Sequence, residues 1–160
     1  MNTRLSKLLK LKIEYTRGDN RRIHHVLKVH DLAVLIGSLE DVDTEAMTIL
    51  SAASIIQEEA SEGRMLMKRT GGFSEHEIDQ VTYLVEHYYD NVSPKNMAQQ
   101  ILAEAELLAS IFEYKLSQDA IAKIRKDIFK TTTGRRLLDA MYGGTPWTTA
   151  PQNTKCTSHC

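Results

Sequence analysis

The chain has 160 residues, 42% of them hydrophobic and 26% charged, with a formal net charge of −1. That length suits one domain with a proper core, and the near-neutral balance supplies no strong field to steer the protein to nucleic acid or anionic lipid. No apolar run approaches the ~20 residues of a membrane span, and Arg4, Lys7, Lys10 and Lys12 run through the first leucines rather than ahead of them, unlike a secretory leader; a cytoplasmic protein is the default expectation.

In chain order the pattern predicts helices. Leu5, Leu8, Leu9, Leu11 and Ile13 form a short amphipathic helix within an N-terminal element over 1–16. Gly18-Asp19-Asn20 breaks it, and Asp19 or Asn20 can cap a second helix from about Arg21 to Ser38, with Gly37 near its end. Asp43 or Thr44 caps a third, Glu45 to about Glu59. Its centre, Ile49 to Ile56, is nearly all small or apolar and so expected to be buried on most sides. Polar Gln57-Glu58-Glu59 follows. The stretch Ser61 to Gly72, holding Gly63, Gly71 and Gly72, reads as a loop. Ser74 with Glu77 makes a capping box for a fourth helix to about Tyr89. Asp90 to Asn96, with Pro94, reads as a turn. Further helices are expected over Met97–Tyr114, Ser117 to about Phe129, and Thr133–Tyr142.

No segment alternates as a strand. The expectation is an all-α fold, a single domain over 17–142 built as a bundle of about six or seven helices. Residues 143–160, rich in Thr, Pro, Ser and Asn, read as a disordered tail. The only cysteines, Cys156 and Cys160, lie there, so no disulfide staples the core. With His159 they make a Cys-x₂-His-Cys cluster that lacks the fourth ligand of a structural zinc site. Apolar faces on Leu5–Ile13 and on the C-terminal helix leave a homodimer open.

The chemistry-bearing residues begin on the second helix. A 3.6 period places Ile23, Val26, Leu27 and His30 in one broad sector, and one of the adjacent pair His24 and His25 must turn inward with it. One solvated and one hydrogen-bonded core histidine would satisfy that pattern alone.

The wider pattern resembles the HD-domain metal-dependent phosphohydrolases. Arg21 to His30 (Arg-Arg-Ile-His-His-Val-Leu-Lys-Val-His) resembles that family's opening, and Ile49 to Gln57 its helix leading to the His-Asp pair. Tyr83 to Tyr89 is similar to a later histidine-rich segment of small bacterial HD proteins. Ile101 to Leu108 resembles the helix bringing the last aspartate, and Ile128 to Gly134 with Leu137, Leu138, Met141 and Tyr142 resembles their C-terminal element. The resemblance spans about Arg17 to Tyr142 and implies an HD-like helical bundle. It places the four metal ligands on His25, Gln57, Glu58 and Glu106, of which only His25 keeps the family's residue type. His87 matches one position of the histidine run, while Tyr88 and Tyr89 replace its neighbours.

A divalent hydrolase centre wants imidazole and carboxylate ligands with open positions for water. Gln57 offers only a neutral amide oxygen, tolerable for Mg²⁺ or Ca²⁺ but poor toward transition metals. Glu58 and Glu106 keep the aspartate charge with one more methylene each. The resemblance thus implies an eroded centre: an inactive or weak phosphohydrolase relative serving as a binding or interaction module and holding no metal. Its alternative is an active hydrolase of a nucleotide or small phosphomonoester, with Mg, Mn or Fe on His25, Glu58 and Glu106. In the active case Glu58 would act as ligand and base, Lys28 or Lys68 would neutralise phosphate, and His87 and Tyr88 would contact substrate. In the metal-free case His25 or Lys28 is expected to pair with Glu58 or Glu106.

Overall fold

Short polar side chains set where most helices begin. In the computed structural model, which describes residues 2–90 and 96–144, eight helices follow one another: α1 (Thr3–Tyr15), α2 (Asn20–Leu39), α3 (Thr44–Ile56), α4 (Ala60–Thr70), α5 (Glu75–His87), α6 (Met97–Glu113), α7 (Gln118–Asp127) and α8 (Thr132–Tyr142). Asn2, Asp19, Asp43, Ser74, Asn96, Ser117 and Thr131 each accept a hydrogen bond from a first-turn amide, satisfying donors that a helix start leaves open. The Ser74–Glu77 capping box is complete in both directions. No strand occurs among the described residues, so the all-α expectation holds. None of these helices is long and apolar enough to cross a membrane. The tail from 145 onward, with its Cys-x₂-His-Cys cluster, lies outside the described residues, as do 91–95 with Pro94 of the expected turn.

The centre of the fold is α3. Every residue from Ile49 to Ile56 is buried, because a segment of small and apolar residues has no polar face to turn to water. α2, α5, α1 and α6 pack around it, α4 closes one end, and α2 also packs on α6. α8 lies against α6 and α2 and also contacts α7. Leu8, Leu50, Ile55, Leu66, Ile101 and Leu102 lose essentially all exposure, each worth roughly 1.5–3 kcal/mol of transfer free energy. These seams fix where the polar side chains of the same helices point.

Two expectations need correction. The stretch Ser61–Gly72 is no loop: all but its last two residues belong to α4, so the bundle has eight helices rather than six or seven. Gly63 breaks nothing because packing demands it. A Cβ there would come within 2.2 Å of Ile56 Cδ1 and 2.8 Å of Ile56 Cβ. The missing side chain lets α4 fold back tightly on the end of α3, burying Leu66 and Met67. That corner also ends α3 at Ile56, short of the expected Glu59, with Gln57 at its C-cap. On α1, Leu5, Leu8 and Lys12 are buried where it packs on α3 and α4, while Leu9, Leu11 and Ile13 are partly exposed.

Candidate functional site

At the α3–α4 corner, α2 and α6 converge on a polar pocket of about 310 Å³ lined by Asp19, Arg21, Arg22, His25, Glu58, Glu106, Glu113 and Tyr114. His25, from the first half of α2, is half-buried, while His24 beside it is exposed. The inward turn of one member of that pair therefore falls on His25. Glu106 and Glu113 stand seven residues apart on α6, which puts them on one face.

His25 bridges the two α6 carboxylates. Its Nδ1 donates to Glu113 Oε2 at 2.7 Å and its Nε2 to Glu106 Oε2 at 2.9 Å. Ionised carboxylates only accept, so both ring nitrogens must carry protons and the ring is an imidazolium. The hydrogen bond to Glu106, reinforced by the charge there and by Glu113, raises the His25 pKa above its ordinary 6.5 against the opposing effect of burial. Lys28, one turn further along α2, gives a second cation to Glu113 at 3.1 Å. Ser110 Oγ donates to the other Glu106 oxygen at 3.0 Å.

Glu58 belongs to a second, adjoining set of charges. It accepts from Arg22 Nε and stands 3.5 Å from the ammonium of Lys12. Lys12 is only 1% exposed and reaches Glu62 Oε1 at 2.5 Å, and Glu62 also accepts from Arg22. Burial alone would raise the Glu62 pKa, but the ammonium of Lys12 and the guanidinium of Arg22 hold it below the usual carboxylate value. Two cations and two carboxylates from α1, α2, the corner and α4 thus neutralise one another, as buried charges must.

The sequence-derived residues divide accordingly. His25, Glu58 and Glu106 line one pocket, and Lys28 stands beside it through Glu113. Gln57 is 6% exposed at the C-cap of α3, and neither its amide oxygen nor its amide nitrogen has a hydrogen-bond partner. Half-buried Tyr88 lies near Glu106: burial first, then the neighbouring Tyr89 and the Glu106 charge push its phenol pKa well up, and burial and Glu106 push Tyr89 up to about 12. His87 turns away, its Nδ1 paired with Asp90 at 2.8 Å. Lys68 is an exposed α4 residue 3.7 Å from Glu75, not a loop residue at the pocket.

Pairing in the pocket follows the expected metal-free pattern for His25 with Glu106, whereas Glu58 goes to Arg22 and Lys12 instead. Glu113, Arg22, Lys12 and Glu62 were not anticipated. The seven-residue spacing to Glu106 marks Glu113, and Lys12 betrays itself by continuing the apolar stripe of Leu5 and Leu8. Glu62 sat in the segment read as a loop.

Tested against a divalent metal, this donor set does not fit. A ligating imidazole must be neutral and present a lone pair, while His25 spends both nitrogens as donors. The guanidinium of Arg22 occupies Glu58. Among the described residues, no group of three or more His, Cys, Asp or Glu side chains is arranged to hold an ion. Compared with models of known protein families, with curated proteins and with solved structures, the chain matches none.

Proposed function

We propose that this chain is an HD-like helical domain in which charge pairing has taken over the position of the metal centre, and that it serves as a binding or interaction module rather than an efficient phosphohydrolase. The order of the helices supports the kinship, as does the convergence of His25, Glu58 and Glu106 on one pocket. The observation that carries the loss of catalysis is the clamping of His25 between Glu106 and Glu113. An imidazolium held by two carboxylates has no lone pair for a cation.

One observation favours the second reading. Three side chains of the right kinds do share an open pocket, and rotating Glu113 and Arg22 away would free a His/Glu/Glu set for Mg²⁺ or Mn²⁺. Metal titration separates the two readings. The purified chain is titrated with Mn²⁺ and with Mg²⁺, its metal content is measured, and release of phosphate from nucleotides and a simple aryl phosphate is assayed. The interaction-module reading expects no stoichiometric ion and no turnover. One tightly held Mn²⁺ per chain, removed by His25→Ala together with phosphatase activity, would overturn it in favour of the hydrolase.

A further inference from the structure

A second concavity lies on the other side of α2. His25 and His30 are five residues apart, which separates them by about 7.5 Å along the axis and about 140° around it. His30 lines a groove of about 960 Å³ between α1, α2 and α3, where α1 and α2 both pack on α3. Leu5 and Leu9 of α1, Leu27 and Val34 of α2, and Val42 and Met47 give it apolar walls. That volume falls within the roughly 300–1,000 Å³ typical of small-molecule sites.

The polar groups in this groove are selective. His30 is 7% exposed. Its Nδ1 meets Ser54 Oγ at 2.9 Å, and that hydroxyl already donates to Ser51 O at 2.7 Å. With the Ser54 proton assigned to Ser51 O, its oxygen accepts, which puts the hydrogen on Nδ1 and leaves the lone pair on Nε2 of the neutral ring. His30 also bonds to the Ser51 backbone carbonyl, and no described residue donates to that Nε2. Asp31, at the rim, is the one charged side chain lining the groove, and it has no ion-pair partner among the described residues. An acceptor lone pair and a free carboxylate, set in apolar walls with no lysine or arginine, repel phosphates and carboxylates and attract a cationic donor.

The geometry points to a binding site for a small amphiphilic amine, its ammonium directed to His30 Nε2 and Asp31 and its aryl or alkyl body laid along Leu5, Leu9, Leu27, Val34 and Met47. This inference is independent of the reading given to the His25 pocket, because it uses none of the same side chains.

The full-length chain is titrated with naphthylmethylamine and, separately, with naphthylacetate, and followed by amide proton–nitrogen NMR and by the imidazole nitrogen shifts of His30. The amine is expected to bind saturably, to shift amides of α1, α2 and α3 around the groove, and to move the His30 Nε2 resonance. Asp31→Asn, at an exposed position, should weaken the amine by about tenfold. Val34→Trp, which fills the groove, should abolish binding. Equal binding of amine and acetate, an unchanged affinity in D31N, or shifts confined to other surfaces would overturn the assignment. So would broadening of the groove amides with protein concentration alone, which would make a second copy of the chain the occupant.

Discussion

Gly134 sits where any side chain would collide with the carboxylate of Glu104: a Cβ there would lie 2.0 Å from Oε2. Glu104 is completely buried in α6 and accepts from Gln100 Nε2, from the backbone amides of Lys130 and Thr131, and from the Thr131 hydroxyl. It therefore fastens α6 to the start of α8. Gly134→Ala should cost roughly 1–3 kcal/mol by overpacking. Glu104→Gln should cost about 1–3 kcal/mol or more, because an amide NH₂ facing backbone donors leaves them unsatisfied. Urea denaturation measures both, and a neutral Gly134→Ala would show that the α6–α8 joint gives way easily.

The two inward histidines of α2 carry opposite pH signatures. The pKa of His25 is raised from 6.5 by Glu106 and Glu113, so its contribution to stability is complete below about 6.5 and drains away as pH climbs through the raised value. Burial lowers the pKa of His30, so its contribution is complete above about 6.5 and is lost as pH falls through the lowered value. The stability gap between wild type and His25→Gln should therefore narrow with rising pH, and the gap for His30→Gln should narrow with falling pH. Denaturation midpoints from about pH 5 to about pH 9 test both; parallel curves for the two variants would refute the assignment.

Lys12 is 1% exposed and held by Glu62 and Glu58. Lys12→Met strands two carboxylates with Arg22 alone and should cost roughly 3–5 kcal/mol. Adding Glu62→Gln should recover much of that loss, because removing both members of a buried pair is far less harmful than removing one. A double-mutant cycle by chemical denaturation reads the coupling directly, and additive losses would mean that Lys12 acts only through packing of its methylenes.

Gly63→Ala forces a methyl group into Ile56 at the α3–α4 corner and should cost about 1–3 kcal/mol. Ile56→Val removes the nearest carbon but leaves Cβ in place, so in the Gly63→Ala background it should hurt less than it does alone. Thermal midpoints of the four proteins decide this.

Much of the fold was written locally. The caps at Asp19 or Asn20 and at Asp43 or Thr44, the Ser74–Glu77 box and the uniformly apolar Ile49–Ile56 announce their helices, because a cap or an apolar sector acts within one or two turns. The α3–α4 corner was not legible, because Gly63 looks like a breaker until Ile56 is seen against it. At the site, helical spacing narrows the inward histidine to His24 or His25, and it is the resemblance that selects His25 and places Glu58 and Glu106 beside it. The partners each would choose were not readable, since Arg22, Lys12 and Glu113 reach the pocket only through the packing of α1, α2 and α6. The loop placement of Lys68 fails with that of its segment: with α4 formed, Lys68 is exposed beside Glu75.

Among the eight helices, α4 alone starts without a side-chain cap, since Glu59 bonds none of its first-turn amides. Its start is dictated by neighbours rather than by its own letters, although Gly71 at positive φ closes its other end. A helix of that kind has little reason to persist when undocked, so its amides should be among the earliest to exchange with solvent. Because α4 carries Glu62, each such opening would also loosen one arm of the Lys12 clamp, making the charge network only as durable as its least self-sufficient helix.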